Sequence, residues 1–495
     1  MSIDIDVKTA KSGFWHFPKT FYALLFIEFW ERFAFYGLQS VAVIYFIQKY
    51  NISEANASNL FSSFSALLYA LLIIGGVVGD KILGLRRTYL LGIIVFIIGY
   101  GMLSLSHSEC ELYFSMGMIL IGNVFFKTNA NNYVGRCFEN NDPRLDSAFT
   151  YFYMSINIGS FGGIILVPVI AKAFNYNIAL SLCSIGMVFA LLSYFVFRER
   201  FVLSDNQVGK DSKNKNIILL GLFILSILAA YLVGLLLQDL ALSKIVLYSA
   251  AVLVLCIYLG VATRLHKNEA KSMYIALILL LQAVVFWILY IQTVTSITLF
   301  AYHNVNLSFW GYDVPAGVTQ AFNPFFIVTL SPLLANLYIY FHKKNNDIGI
   351  PTKFALGIGI TAFSFIILGI AAQFFADKNS QISVFWLFLA YGFYSTGELL
   401  VLALGPSMVA KLLPKRFGGF AQGVWYLTSA VGMKIGGQIS SVAADEYSGN
   451  NAAQSLITYT HLFYTIGVVV IIVSLVFFIF LKPLNKAMLE VLKHK

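Results

Sequence analysis

Long apolar runs recur from one end of this chain to the other, and they leave its backbone a single solution. Inside a bilayer every N–H and C=O must be satisfied within the protein, so runs of this length become membrane-spanning helices. The pattern predicts fourteen spans, at 20–48, 56–80, 88–106, 112–134, 149–171, 177–197, 216–237, 245–263, 272–300, 321–341, 354–376, 383–410, 418–442 and 457–481. Hydrophobic residues make up 59% of the chain and charged residues 11%, which excludes an ordinary soluble domain. The expected fold class is therefore an all-α membrane protein. The first twenty residues are polar and the first apolar run is too long for a signal h-region, so no cleavable signal peptide is expected. Cys110, Cys137, Cys183 and Cys256 are scattered without metal-ligand spacing. They read as small packing residues, and neither a metal nor another cofactor is expected.

A net charge of +10 could suggest a nucleic-acid partner, but its distribution says otherwise. With the N-terminus inside, 26 of the 33 Lys and Arg fall in the tails and alternate loops. Four fall in the opposite loops (Lys49, Lys172, Lys244, Lys378) and three within spans (Arg32, Lys127, Lys434). This is the positive-inside asymmetry, and it places both termini in the cytoplasm. The basic excess sets orientation and gives no reason to expect nucleic acid.

The spans group as six, two and six. A cytoplasmic tail (1–19) precedes a first bundle (20–200). Residues 201–271 hold a charged linker and two spans without buried charge, read as a peripheral inserted hairpin. A second bundle (272–482) and a cytoplasmic tail (483–495) complete the chain. Two six-helix blocks suggest a transporter built from facing halves.

The first span carries Phe26-Ile-Glu-Phe-Trp-Glu-Arg-Phe-Ala-Phe-Tyr-Gly37. Glu28, Glu31 and Arg32 stand at i, i+3 and i+4 and share one helix face, which Tyr36 extends. Each charged group costs roughly 2.5–3.5 kcal/mol at a helix centre, so an intramembrane cluster is a candidate functional site. Its arginine can hold the carboxylates ionised or release one to take a proton. The bland alternative is an internally neutralised helix contact.

Other intramembrane polar groups follow. Lys127 lies in the fourth span and must find a carboxylate, an anionic ligand or water, unless it snorkels to the membrane face. Asn157, among small residues, is either a binding group or helix-packing glue. Glu398 is the one deep carboxylate of the second block, and Pro324 after Asn323 frees a backbone carbonyl. Trp287 and Trp425 read as core or as ligand walls. Lys434 lies nine residues beyond Trp425, half a rotation away, so the two are not expected to share a cavity. Snorkelling or pairing at a helix interface is expected for it. The seven histidines sit at span ends or in loops, which leaves proton movement to carboxylates.

Glu28-x-x-Glu31-Arg32-Phe33-x-Phe35-Tyr36-Gly37 resembles the ExxERFxYYG signature of the proton-dependent oligopeptide transporter family. The resemblance continues through Tyr69 before Gly75-Gly76, Lys127 and Asn129, Phe152-Tyr153-x-x-Ile156-Asn157-x-Gly159-Ser160, Asn323-Pro324, Gly397-Glu398-Leu399 and the Trp425 segment. It covers nearly the whole chain and is greatest with bacterial di- and tripeptide permeases. The loop Gly79-Asp80-Lys-Ile-Leu-Gly84-Leu-Arg86-Arg87 is similar to the signature between the second and third helices of the major facilitator superfamily. There Asp80, Arg86 and Arg87 would form a gating latch.

The resemblance implies a major facilitator fold of two six-helix bundles plus two inserted helices, and import of di- and tripeptides with protons. It implies that Arg32 and Lys127 bind the peptide carboxylate with Tyr36 and Tyr69 nearby. Asn157, Asn323 and Glu398 would take the amino terminus, and Trp287 and Trp425 would bound side-chain pockets. It further implies a multi-pass protein of a bacterial inner membrane, with peptides, protons and the bilayer as partners and a functional monomer. Three departures stand out. Phe35 replaces the first tyrosine of the signature pair. Ile291 stands where several members have a carboxylate, which shifts proton handling to Glu28, Glu31 and Glu398. Ala403-Leu-Gly-Pro406 differs from the usual turn after Gly-Glu-Leu.

The function expected is a proton-coupled symporter working by alternating access, in which protonation of Glu28 or Glu31 frees Arg32 for the cargo. A same-fold transporter of nitrate, drugs or modified amino acids is the alternative. A membrane enzyme is disfavoured because the buried set holds no nucleophile–base pair and no metal cluster. A channel is disfavoured because no charge ring or filter repeat is present.

Overall fold

The computed structural model describes residues 17–138, 145–197, 201, 215–309, 311–344, 348–446 and 451–493. The first block comprises α1 (Lys19–Tyr50), α2 (Glu54–Val77), α3 (Leu85–Leu105), α4 (Glu109–Arg136), α5 (Leu145–Ala173) and α6 (Tyr176–Val196). The hairpin is α7 (Lys215–Gln238) and α8 (Leu240–Ala262). The second block begins with α9 (Lys267–Gln292), α10 (Ser296–Asn304), α11 (Phe322–Lys343) and α12 (Ile350–Phe374). It ends with α13 (Val384–Val401), α14 (Gly405–Leu412), α15 (Gly418–Glu446), α16 (Ala452–Ile479) and α17 (Leu481–Lys493). Twelve of the described helical segments are long and apolar enough to cross a membrane. Two more long helices, α1 and α15, carry the buried charges Glu28, Glu31, Arg32 and Lys434.

Two expected spans are each broken in two. The span at 272–300 parts at 293–295, between α9 and α10. Hydroxyls absorb the freed carbonyls: Thr293 Oγ1 donates to Tyr290 O (2.8 Å), Thr295 Oγ1 to Ile291 O (2.9 Å) and Thr298 Oγ1 to Thr293 O (2.8 Å). Such side chains offer the backbone an alternative to the helical ladder. The span at 383–410 parts at 402–404, and α14 restarts at Gly405-Pro406, with proline at the helix start where its missing N–H costs nothing.

Four two-residue strands cap the second block at the end away from the termini. β1 (Val305–Asn306) pairs parallel with β4 (Ile382–Ser383), and β2 (Ser308–Phe309) antiparallel with β3 (Tyr312–Asp313). Residues 483–493, expected within the tail, are helical as part of α17. α17 buries Leu481, Leu484, Met488 and Val491 on one face and is tied to α12 by Asn485 Nδ2 donating to Thr352 Oγ1 at 2.9 Å.

The two blocks meet along two seams. On one, α2 runs antiparallel to α15, and Gly437 sits against Ser62 with no room for a Cβ. On the other, α5 meets α11 and the 3-10 turn Ala316–Ala321, where Gly317 lies against Ser40 O. The hairpin is peripheral, as its sequence suggests. α7 packs on α4, and α8 leans on α2, α9 and α15 across the first seam, with Tyr248 OH donating to Gln438 Oε1 at 3.1 Å.

Hydrogen bonds between the blocks gather at the end away from the termini. They include His303 Nε2–Glu54 Oε1 (2.7 Å), Gln48 Nε2–Tyr302 OH (3.1 Å), Lys172 Nζ–Asp313 O (2.6 Å) and Asn59 Nδ2–Ser441 Oγ (2.9 Å). That end is shut.

Candidate functional site

α1 carries the cationic part of the site. Arg32 grips both oxygens of Glu31, with Nε at 2.5 Å and an NH2 nitrogen at 2.6 Å. Glu28 Oε1 lies 3.5 Å from Arg32 Nε and 3.8 Å from Lys127 Nζ. One carboxylate thus has a forked partner, while the other is shared loosely between two cations. The i+4 offset brings Glu28 beneath Arg32, and α4 delivers Lys127 from the side. The guanidinium also lies 5.3 Å from the Phe35 ring centre and 5.8 Å from that of Tyr36. A cation–π contact needs a ring face and no hydroxyl, so Phe35 keeps it.

Glu398 on α13 is the anionic part. Asn323, at the start of α11, donates to Glu398 Oε2 at 2.7 Å and lies 3.1 Å from Ser395 Oγ. Asn157 faces it from α5, its own amide satisfied by Tyr153 O at 2.7 Å.

These groups line two adjoining hollows. One, about 110 Å³, is walled by Tyr36, Asn157, Asn323 and Glu398. The other, about 240 Å³, is walled by Arg32, Tyr36, Tyr69 and Lys127. They share Tyr36, Gln39, Tyr153, Ile156 and Tyr290, so the cations and the carboxylate face one divided space between the blocks. Tyr153, on the terminus side of Asn157, is 54% exposed although it lines both lobes. Access is therefore from the end that bears the termini.

Trp287 and Trp425, expected to bound side-chain pockets, lie one layer back from the hollow. Each is 5% exposed and stands behind the wall. Trp287 packs on Tyr69 (ring centres 5.4 Å apart) and Tyr290 (4.9 Å), and the Trp425 ring covers Gly405. Their neighbours Tyr290 and Tyr426 reach the hollow instead. Ile291 lines the same lobe. Its helix does hold an acid, Glu269, but that residue pairs with Arg416 at 2.7 Å at the terminus end, away from the cavity. Asn129 donates to Phe125 O at 2.7 Å and packs against Gly79, so it belongs to helix packing.

The expected latch falls partly outside the described residues. Asp80 lies in a π turn, Val78–Ile82, and its side chain is among those not described. Gly84 follows with φ +81°, a conformation that favours glycine, and Arg86 and Arg87 open α3 half-buried.

Sequence reasoning passed over a stripe on α13. Tyr391, Tyr394 and Glu398 repeat at helical spacing and all line the smaller lobe. That period was a usable signal for a polar face.

Two six-helix blocks with opposite fixed charges facing a central hollow define a membrane transporter of the major facilitator fold. The pattern of the POT family (PTR2) matches residues 86–457, and the chain belongs to that family. It is 38% identical over 487 residues to the dipeptide and tripeptide permease B of Photorhabdus luminescens, covering 98% of this chain and 99% of that one. Among solved structures, a study of substrate recognition in proton-dependent oligopeptide transporters provides a match at TM-score 0.81 and 32% identity, over 96% of this chain and 100% of the other. A tetrameric peptide transporter matches at TM-score 0.83 and 31% identity, over 94% and 99%.

Proposed function

We propose that this protein is a proton-coupled symporter that imports di- and tripeptides by alternating access. The observation that carries this is the division of charge: Arg32 and Lys127 on the first block, Glu398 on the second, lining adjoining lobes. A zwitterion that bridges the lobes satisfies both ends and draws the blocks together. The relatives' names, permeases for di- and tripeptides, point to the same cargo. Nitrate would leave Glu398, held by Asn323, without a cation to meet.

Arg32 and Lys127 take the carboxylate, with Tyr36 and Tyr69 beside them. Asn157, Asn323 and Glu398 take the amino terminus, and Trp287 and Trp425 back the tyrosines that touch the side chains. Coupling rests on Glu31. While ionised it occupies the arginine fork, and a proton on it removes that acceptor and releases Arg32 to the cargo. Glu28 remains to hold the cation pair. The proton and the peptide then favour the same state, as a linked equilibrium requires. Asp80, Arg86 and Arg87 are assigned to gating at the terminus end.

The basic loops and tails support cytoplasmic termini, and with a bacterial inner membrane as the setting the state described is open inward. Arg32, Lys127 and Glu398 all reach the divided hollow from one protomer, which supports a functional monomer. Uptake of labelled dialanine into proteoliposomes under an inward proton gradient tests the reading. Uptake that free alanine or nitrate blocks and peptides do not would overturn it.

A further inference from the structure

Two tyrosines of α8 hold the hairpin to the second block at separate levels. Tyr248 OH donates to Gln438 Oε1 on α15 at 3.1 Å, and Tyr258 OH donates to Met273 O on α9 at 2.7 Å. The Tyr258 ring also lies 6.2 Å from that of Phe420. Between the two tyrosines α8 rises about 15 Å, half of the roughly 30 Å hydrocarbon core. Over that length it stands off and leaves a groove of about 320 Å³ between α8, α9 and α15. Small side chains keep the groove open: Ala251 and Val252 on α8, Val284 on α9 and Val431 on α15.

The groove suits hydrocarbon and not water. Its lining holds no charged side chain, and the hydroxyl of Thr428 is already spent on Val424 O at 2.8 Å. A buried water needs several polar partners, and here it meets only the two tied tyrosines. Val252, Leu255 and Leu281 are exposed along the rim, so the groove opens sideways toward the bilayer. Charge stands at its terminus end. The turn 263–266 joins α8 to α9 at the foot of the groove, and Arg264 in that turn and Lys267, the first residue of α9, are both exposed. Among the described residues neither enters an ion pair, whereas Lys271 and Arg416 are matched with Glu490 (2.5 Å) and Glu269 (2.7 Å). Lys267, Tyr274 and Leu281 repeat at two-turn spacing, so one stripe of α9 runs from the cation, past an exposed tyrosine of the interfacial kind, to the rim.

We propose that this groove holds one acyl chain of an anionic phospholipid from the leaflet on the terminus side, with the phosphate on Arg264 and Lys267. Basic residues beside a gap between membrane helices recognise such headgroups. The chain supplies the packing that α8 lacks between its tyrosines, so the lipid completes the joint between the hairpin and the second block. The proposal needs only that the protein spans a membrane, and it stands apart from the nature of the cargo.

Native mass spectrometry of the delipidated protein, titrated with phosphatidylglycerol or phosphatidylcholine, tests this alongside thermal unfolding. The unchanged protein is expected to keep one phosphatidylglycerol per chain in preference to phosphatidylcholine, and to melt higher with it. Arg264→Gln combined with Lys267→Gln should weaken phosphatidylglycerol binding about thirtyfold, the scale of two basic residues at an anionic surface, and erase the preference. Ala251→Trp, which fills the groove, should reduce retention of both lipids. Equal retention of the two lipids by the unchanged protein would overturn the proposal. So would a preference that survives the paired substitution but falls with Lys244→Gln, at the other end of α8. Should Ala251→Trp fail to fold, Ala251→Leu fills part of the same space, and undiminished retention there would count against the groove.

Discussion

Asn323 donates to Glu398 Oε2 at 2.7 Å, so the start of α11 fixes the one deep acid of the second block. The bond turns a flexible carboxylate into an oriented one, and the charge reaches the cavity without a search. Glu398→Gln keeps the size and the polar contact but removes the charge. Affinity for dialanine is expected to fall about ten- to a hundredfold, the scale of a hydrogen bond to a charged group. N-acetyl dialanine, which has no ammonium, should lose little further affinity. Calorimetry on both ligands checks this, and equal losses would place the amino terminus elsewhere.

Glu31→Gln probes coupling. The forked contact to Arg32 at 2.5 and 2.6 Å becomes a neutral one, and the arginine stays available at every pH. Peptide exchange across proteoliposomes at equal pH should persist, while accumulation driven by a proton gradient should be lost. The pH dependence of uptake should flatten, because the variant carries no proton at that position. Full gradient-driven accumulation in Glu31→Gln would reject the scheme.

The charged centre was legible in the sequence because apolar surroundings make each ion conspicuous. Glu28, Glu31 and Arg32 sit where lipid-exposed charge is not tolerated, and their i, i+3, i+4 spacing brings them together. The hairpin was legible for the opposite reason, the absence of buried polar groups. Helix rotation was not. Trp425 and Lys434 were rightly placed on different faces, but neither lines a lobe: the Trp425 ring covers Gly405, and Lys434 bonds Ser63 across the α2–α15 contact. The breaks at 293–295 and 402–404 escaped because local hydroxyls and a Gly-Pro pair satisfy the backbone without leaving a polar run. The helix Leu481–Lys493 did announce itself, through Leu481, Leu484, Met488 and Val491, but its lysines made the residues from 483 read as a tail.

Gly405 is a packing constraint at the second break. A Cβ there would enter the Trp425 ring, which is buried and cannot swing aside. Gly405→Ala should lower stability by about 1–3 kcal/mol, the usual cost of overpacking a core. Thermal unfolding in detergent measures it, and Trp425→Phe, which removes part of the ring, should recover some of the loss. An unchanged melting temperature in Gly405→Ala would mean that the break relaxes freely.

Gly437 sits at the α2–α15 seam, where a side chain would collide with Ser62. The contact exists only while the far end is shut. Gly437→Val therefore raises the energy of this state and leaves a far-open state untouched, and a penalty of about 1.4 kcal/mol changes the ratio of the two tenfold. Gln39, which bridges to Gln320 at 3.4 Å beneath the shut end, reports the shift. In a background without native cysteines, Gln39→Cys should react faster with an impermeant thiol reagent added from the far side once Gly437→Val is present. Adding Ser62→Gly should slow the reaction again, because it makes room for the valine. Labelling that ignores Gly437→Val would mean that this seam does not part during the cycle, and the route from the far side would have to run along α5 and α11 alone.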